Sequence, residues 1–371
     1  MNFDFDDEHY MFQQTVRDTL AAEFPLDTLR DGGNPAELDV ALWPKLAELG
    51  LFGLMVPEEQ GGLGLSPIEF ALISEEFGAA LVPLTVTDTI VASLIMARFD
   101  AEAQAGNLQK LAEGSLRVAC AVYEKDGGYD PAAFENTLDA NGKLNGRKLL
   151  IAGALRADFL LVVVRDATGQ PCLALVEPDR GGVSVVREQA LDISGDYYSV
   201  EFADVTVSSA DRIGGGAEAV ECLVDMLATA ASQSMAGIGA RMLDTTVAYV
   251  KEREQFGQPV GAFQAVKHRC ADMAVDLNTA RSGAYYAGWA MAAAQTDERV
   301  WAVSMAKAKA NRMAVHILRE AIQLHGGMGY TWEMALHFHF RRGRLLETLY
   351  GSTEFHNERV LAGTIAQLAA Q

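Results

Sequence analysis

Apolar residues recur every three or four positions in the first part of the chain and again in its last part, which predicts amphipathic helices in both. Ser66 and Pro67 are typical of a helix start, an N-cap followed by a first-turn proline. Residues 7 to 112 are therefore expected to be largely helical, and so is the part of the chain that follows the glycine-rich stretch GGGAEA at residues 214–219. The clearest helical spans are 7–24, 41–50, 66–82, 217–252, 261–295, 297–325 and 353–369.

The pattern between the two helical parts is different. Short runs rich in β-branched residues alternate with Gly, Asp, Asn and Pro, which indicates an antiparallel β-domain. The segment ANGKLNG, residues 140–146, supplies a hairpin turn. Because helices and strands are segregated along the chain, the expected class is α+β, with boundaries after 114 and 214. The predicted strands lie in LRVACAVYE, KLNGRKLLIAG, ADFLLVVVR, PCLALVEP, GGVSVVRE and YYSVEFADVTV.

Composition narrows the class of protein. Half of the 371 residues are hydrophobic and 22% are charged, as expected of a folded globular chain. The net charge of −20 argues against a nucleic-acid-binding protein. The four cysteines lack metal-binding spacing, and we find neither a signal peptide nor a run of about 18 apolar residues. We therefore expect a cytoplasmic protein with reduced thiols, no metal site and no membrane insertion.

Three motifs carry candidate chemistry, at 49–66, 249–273 and 323–333. No Rossmann fingerprint follows a strand, which argues against a nicotinamide cofactor. An arginine offers a pyrophosphate two parallel donors, glutamines can bind adenine or ribose, and adjacent glycines let a dinucleotide lie against bare backbone. Each residue alone has an ordinary structural explanation, so only the set is informative. The candidate cofactor-binding residues are Arg253, Phe256, Gln264, Gln323, Gly326 and Gly327.

Together these motifs resemble the acyl-CoA dehydrogenase family over essentially the whole chain. The resemblance implies a helical domain at 1–114, a β-barrel-like domain at 115–214 and a four-helix bundle at 215–371. It also implies FAD, an acyl-CoA substrate and an electron-accepting flavoprotein. In the family the candidate set binds the ADP half of FAD across a subunit interface, with the flavin ring on the neighbour's β-domain. Thr353 matches a further FAD contact.

The resemblance fails at the catalytic base. The family's usual Tyr-Glu-Gly-Thr, whose glutamate removes the α-proton, is replaced by a sequence with Gly351 in the place of the glutamate. Other members carry the base on the preceding helix, at positions that align with Leu227 or Ser234, and neither is an acid here. The base is thus unknown. Three nearby acids stay open as relocated bases: Asp225, Asp244 and Glu354. Three histidines are interpreted as packing residues rather than metal ligands: His337, His339 and His356.

The β-domain departs from the family as well. The segment 123–130 replaces the flavin-side Thr-Glu-Pro-Gly-x-Gly-Ser-Asp, and 148–152 lacks both the usual Trp and the hydroxyl, with Leu150 and Ala152 in their places. The leading hypothesis is a subunit of a heteromeric (α2β2) acyl-CoA dehydrogenase for a bulky acyl-CoA such as a steroid side chain. The alternatives are a self-sufficient homotetramer with a relocated base and a non-redox binding or assembly protein.

Overall fold

The computed structural model describes residues 5–125, 128–293 and 296–369. Its elements follow the order helices, sheet, helices, so the predicted α+β class is confirmed. Ser66 caps its helix as predicted: its Oγ accepts from the Ile68 amide, and the Glu69 carboxylate accepts from the Ser66 amide. The N-terminal helices are α1 (Asp7–Glu23), α2 (Leu26–Arg30), α3 (Pro35–Glu48), α4 (Pro67–Ala80), α5 (Leu84–Asp100) and α6 (Ala105–Ala112).

One mixed sheet forms the central part. Its strands run in the order β6-β7-β3-β2-β4-β5-β8, and β1 pairs with β4 outside this path. A separate ribbon of two short strands, β9 and β10, lies within the C-terminal part. The strands are β1 (Val118–Ala121), β2 (Thr137–Leu138), β3 (Lys143–Ala152), β4 (Phe159–Arg165), β5 (Pro171–Val176), β6 (Val183–Glu188), β7 (Tyr197–Thr206), β8 (Arg212–Ile213), β9 (Glu254–Gln255) and β10 (Gln258–Pro259).

The sheet differs from the predicted antiparallel one in its strand pairing. It is not purely antiparallel, because β4 pairs in parallel with β1 and, at one position, with β2. Among the described residues the end strands β6 and β8 do not pair with each other, so the path of strands is open. Strand pairing depends on contacts between distant segments, and local hydrophobic patterns do not encode it.

The C-terminal part holds α7 (Gly216–Glu252), α8 (Gln264–Ala293), α9 (Thr296–His325), α10 (Leu336–Thr348) and α11 (Thr353–Ala369). Four of them, α7, α8, α9 and α11, match the four predicted spans closely. The short helix α10 was not among the predicted spans. Its sequence, LHFHFRRGRLLET, mixes aromatic, basic and apolar residues, and only the fold shows that His339 and Arg342 are buried.

Buried ion pairs join the three parts of the chain. Arg342 of α10 binds Asp192 and donates to Ser194 Oγ at 3.1 Å and to the Val82 carbonyl at 2.8 Å. The main apolar core also extends through all three parts, while a second cluster is confined to the sheet. The division into domains at 114 and 214 therefore stays a prediction.

Three findings concern features expected from composition. None of the described helices is both long and apolar enough to cross a membrane. All four cysteines are free thiols. Across the residues that the structure covers, no group of three or more His, Cys, Asp or Glu side chains could hold a metal ion.

Candidate functional site

The motif at 249–273 forms a hairpin at the end of α7. Arg253 leads into the ribbon of β9 and β10, and Phe256 and Gly257 form its two-residue turn. Their φ angles of 55° and 79° are those that a type I′ turn requires. Both Arg253 and Phe256 point outward, and Phe256 is 93% exposed. The ring of Phe256 is therefore outside the core and accessible to a ligand or a neighbouring chain.

The motif at 323–333 forms a bare stretch of backbone after α9. Gly326, with φ 59°, has a left-handed conformation that favours glycine. Gly327 does not, since its φ is not positive and an added Cβ would meet nothing within 4 Å. The packing of this chain therefore gives no reason for a glycine at 327. An approaching ligand or neighbouring chain would give one.

A stacked pair of rings holds the two motifs together. Tyr249, one turn before Arg253, stacks on His325, directly before Gly326, with ring centroids 4.4 Å apart and planes 24° apart. The Tyr249 hydroxyl also donates to the His325 carbonyl at 3.4 Å. Burial lowers the pKa of His325, and its Nδ1 pairs with the Ala321 carbonyl at 2.7 Å. The ring is therefore neutral at pH 7 and fixed in orientation.

The remaining candidates occupy two places. Gln264 begins α8, soon after the hairpin in the sequence, and Gln323 lies in the last turn of α9, just before the two glycines. Both residues are exposed. Thr353 begins α11 and lines a different cleft, of about 560 Å³, together with Arg312 and Arg319 of α9. The structure thus presents six of the seven residues on two linked loops and their flanking helices, with Thr353 apart from them.

The strip around Gly351 is fixed through its main chain. Tyr350 and Gly351 have φ angles of 60° and 116°, both in the left-handed region. The Tyr123 hydroxyl contacts the Tyr350 amide, and His356 Nε2 donates to the Tyr350 carbonyl at 2.8 Å. Lys307 Nζ donates to the Gly351 carbonyl at 3.2 Å. The strip therefore has little freedom to change its path.

A side chain at position 351 would fit only if His356 and Phe355 moved. A Cβ there would lie 2.6 Å from His356 Cδ2, closer still to His356 Nε2, and 2.9 Å from Phe355 Cδ1. Real Cβ atoms essentially never come within 3.0 Å of such neighbours. The position is thus filled by neighbouring rings, in addition to lacking a carboxylate.

The three acids considered as relocated bases are in unsuitable surroundings. Asp225 is fully buried, with its two oxygens bound to Arg299 at 3.2 Å and Arg359 at 3.0 Å. Asp244 and Glu354 are exposed. The pKa of Glu354 is lowered, chiefly by a backbone N–H at the start of α11. None of the three combines desolvation with freedom to accept a proton, which a base needs.

The two helix positions are equally closed. Leu227 is fully buried in α7, and Ser234 Oγ donates to the Ser74 carbonyl of α4 at 3.2 Å. A Cβ at Gly78 of α4 would lie 2.5 Å from Ser234 Cα. The two helices are therefore in direct backbone contact at this level.

The histidines do not form a group. His337, His339 and His356 each pair with a different backbone carbonyl, that of Met334, Ala79 or Tyr350. Burial lowers the pKa of His339 to about 4, so it too is neutral at pH 7. These pairings agree with the packing interpretation.

Comparison with known proteins decides the family. The model of the acyl-CoA dehydrogenase N-terminal domain matches residues 6–115, and that of the C-terminal domain matches residues 214–365. The chain belongs to the acyl-CoA dehydrogenase family. FAD is the cofactor of this family, and the family supports an oxidoreductase that acts on acyl-CoA.

Three similar proteins span nearly the whole chain. The probable acyl-CoA dehydrogenase YngJ of Bacillus subtilis is 28% identical, with 95% of this chain and 97% of that protein covered. Subunit CarC of the caffeyl-CoA reductase–Etf complex of Acetobacterium woodii is 28% identical over 97% and 99%. The solved structure of the Tcur3481-Tcur3483 steroid ACAD is 28% identical, with 98% and 99% covered and a TM-score of 0.89.

The chain fits one half of the FAD better than the other. The exposed guanidinium of Arg253, the exposed ring of Phe256 and the bare backbone at Gly327 suit an ADP moiety that approaches from outside. On the flavin-ring side, Ala152 offers no hydroxyl, and the space beside Gly351 is filled by the chain's own rings.

The β-domain segments that depart from the family have structural roles instead. Lys148 is fully buried, with Nζ 2.7 Å from Glu124 Oε1, and burial lowers its pKa to about 8. Leu150 lies in an irregularity of the β3–β7 pairing with φ 54°. Tyr123 packs against Tyr350, with ring centroids 5.8 Å apart. Asp126 and Gly127 of the replaced segment lie outside the described residues.

Two ionisable residues near this strip escaped the sequence analysis. Asp88 of α5 is 2% exposed, one oxygen accepts from the Cys120 amide at 3.0 Å, and the other has no partner among the described residues. Burial raises its pKa to about 7. Lys307 of α9 has 0% exposure, and burial lowers its pKa to about 7. In the sequence Asp88 is the one acid inside LTVTDTIVASLIM, whereas Lys307 is followed closely by Lys309 and Arg312 and gives no signal of burial.

Proposed function

We propose that this chain is one subunit of an FAD-dependent acyl-CoA dehydrogenase and that a second, related chain carries the catalytic carboxylate. One observation supports this most directly. The position of the family's usual base, Gly351, is occupied by neighbouring side chains, while the loops that suit the ADP half of FAD are exposed and unobstructed.

In this proposal each residue of the exposed loops binds rather than reacts. Arg253 would pair with the pyrophosphate through two parallel N–H donors, which a lysine cannot supply. Phe256 would pack beside the cofactor, and the backbone at Gly326 and Gly327 would let it approach closely. The stack of Tyr249 on His325 would keep the two loops at a fixed separation. Thr353 and the amides of Gln264 and Gln323 would supply further hydrogen bonds.

The partner would complete the reaction. FAD, when bound, accepts the β-hydride of the acyl-CoA, and a desolvated carboxylate on the partner would take the α-proton. An α2β2 assembly meets these needs. The alternative is a homo-oligomer of this chain with a relocated base. The relationship to a subunit of a caffeyl-CoA reductase–Etf complex supports an electron-transferring flavoprotein as a further partner, which would accept the electrons when acyl-CoA is oxidised.

We propose a bulky acyl-CoA, such as a steroid side chain, as the substrate. Two observations support this choice. One is the 28% identity to a solved steroid ACAD over almost the full length of both chains. The other is the tail TWEMALHFHFRR, residues 331–342, which resembles the bacterial branch of the family that handles such substrates. A cytoplasmic location stays a prediction.

Co-expression tests the proposed function. The chain would be purified alone and with a related chain, encoded nearby, that has the glutamate. We expect the pair to be yellow and to reduce an electron acceptor with acyl-CoA, and the chain alone to do neither. In the pair, Glu→Gln at the partner's base should abolish turnover, and Asp244→Asn and Glu354→Gln in this chain should not. A yellow homotetramer of this chain that turns over acyl-CoA would contradict the proposal.

A further inference from the structure

His356 is held firmly in the space that a side chain at position 351 would need. It has 0% exposure, and its Nε2 donates to the Tyr350 carbonyl at 2.8 Å. A carbonyl oxygen only accepts, so Nε2 carries the proton and Nδ1 does not. Burial, and then the nearby charge of Lys307, lowers the pKa of His356 to about 3, so the ring is neutral at pH 7. The neutral, buried imidazole of His356 is therefore not repelled by the charge of Lys307 and gains nothing by moving into solvent, so it stays in this space.

Phe355 closes the same position from the outside. It lines a cleft of about 640 Å³ between the start of α7 and the β-domain, and its Cδ1 would lie 2.9 Å from a Cβ at Gly351. The ring thus stands between this cleft and position 351. A thioester that entered the cleft would meet the phenyl ring before it reached the strip.

The cleft is also electrostatically unsuited to coenzyme A. Among its described lining residues are Glu218, Glu221 and Asp225, and the guanidinium of Arg359 already pairs with Asp225 at 3.0 Å. Coenzyme A carries several phosphate charges. Like charges at close range disfavour binding, and a CoA site needs cations that are not already paired with acids of the same chain.

We infer that His356 and Phe355 close the chain's own proton-abstraction position, so that acyl-CoA is bound only on the partner and a glutamate restored at 351 recovers no activity. This inference rests on the proposed function, because position 351 has catalytic meaning only within the family. His356 acts here as a positioning residue: it fills the space and holds the Tyr350 carbonyl.

A thermal double-mutant cycle on the isolated chain tests the closure without flavin or substrate. The variants are Gly351→Ala, His356→Ala and the double substitution. The control is Gly363→Ala in α11, where the new Cβ would make an ordinary 3.5 Å contact with Trp301. We expect Gly351→Ala to lower the Tm by several degrees and Gly363→Ala not to. In the His356→Ala background the loss from Gly351→Ala should be clearly smaller.

Two results would overturn the closure. One is a Gly351→Ala variant as stable as the Gly363→Ala control. The other is a loss at 351 that His356→Ala does not relieve, because the positive φ alone would then explain it. If His356→Ala does not fold, His356→Ser serves the same purpose, since it also removes the ring.

A functional arm uses the assembled complex with the partner's glutamate changed to Gln. We expect Gly351→Glu in this chain to restore no acyl-CoA-dependent reduction, and recovered turnover would refute the inference. His356→Gln, whose amide can still donate to the Tyr350 carbonyl, should retain more bound FAD absorbance than His356→Leu; equal loss in both would refute the positioning role. If the isolated chain proves active, the proposed function fails, while the thermal cycle still decides whether position 351 is closed.

Discussion

Asp88 is a buried acid that contributes to the pH dependence of stability. Its carboxyl is 2% exposed and has one hydrogen-bond partner among the described residues, and burial raises its pKa from 3.8 to about 7. Between these two values the folded chain retains a proton on Asp88 that the unfolded chain has released. The contribution of Asp88 to the unfolding free energy therefore falls as the pH rises from 4 to 7 and then levels off.

Asp88→Asn should remove this pH dependence, because an amide resembles the protonated acid and does not ionise. The wild-type chain should lose up to about 1.4 kcal/mol of stability per pH unit in this interval relative to the variant. Denaturant unfolding at pH 5, 6, 7 and 8 measures the difference. Cys120→Ala, which retains the amide donor to Asp88, should preserve the wild-type slope. Parallel pH profiles for wild type and Asp88→Asn would show that the acid is ionised throughout.

Sequence can reveal residues whose role depends on a motif, and it misses those whose role depends on neighbours. Arg253 and Gly327 stand in recognisable motifs, so they were candidates before the structure. Asp88, Lys307 and His356 have their roles because distant segments enclose them. A one-letter sequence shows the missing glutamate at 351 but cannot show that two rings have filled its place.

At the scale of elements, the contact between α4 and α7 depends on glycine. A Cβ at Gly237 would lie 2.9 Å from the Ala79 amide nitrogen and closer still to the Glu75 carbonyl oxygen. These neighbours are backbone atoms of a buried helix and cannot move aside alone. Glycine thus sets the distance between the two helices.

Gly237→Ala should be strongly destabilising, by about 3 kcal/mol or more, since overpacking against backbone forces the helices apart. The matched control is Gly283→Ala in α8, where an added Cβ would lie 3.8 Å from Ala306 Cα. That change should be neutral or stabilising by up to about 1 kcal/mol, because alanine favours helix. Denaturant midpoints measure both, and similar values for the two variants would contradict the prediction.

The ion pair between α10 and the β-domain gives a second prediction. Arg342 and Asp192 are both almost fully buried, so removing one partner leaves the other as a buried charge without compensation. Arg342→Met should cost about 3–5 kcal/mol, and adding Asp192→Asn should restore part of the loss. Thermal unfolding of the two single variants and the double variant measures the coupling. Additive losses would show that the two charges do not depend on each other.

Helix spans and most strands could be predicted because their patterns are local. The exceptions have physical causes. The β1–β4 pair is parallel and joins Val118 to Phe159, so nothing local specifies it. The helix α10 buries charged and aromatic side chains, including Arg342 and His339, which hides the apolar periodicity that reveals other helices.

At the scale of the whole molecule, cofactor binding and folding should be separable. The Arg253 side chain is exposed, so Arg253→Ala should change the unfolding free energy of the chain by no more than about 0.5 kcal/mol. In the assembled complex it should weaken FAD by about tenfold or more, as expected for loss of charge-assisted hydrogen bonds. Flavin fluorescence during dilution measures the affinity. The control is Arg241→Ala, which removes an exposed arginine of α7 away from the hairpin and should retain the cofactor.

The closed space at Gly351 has a consequence for evolutionary history. With His356 in place, a return to glutamate at 351 would first disturb the fold, so no single substitution leads back to an independent enzyme. Such epistasis works as a ratchet: each repacked neighbour makes reversal harder. The gene for this chain would then persist only while its companion gene does, and we expect the two to be inherited, transferred and lost as one unit.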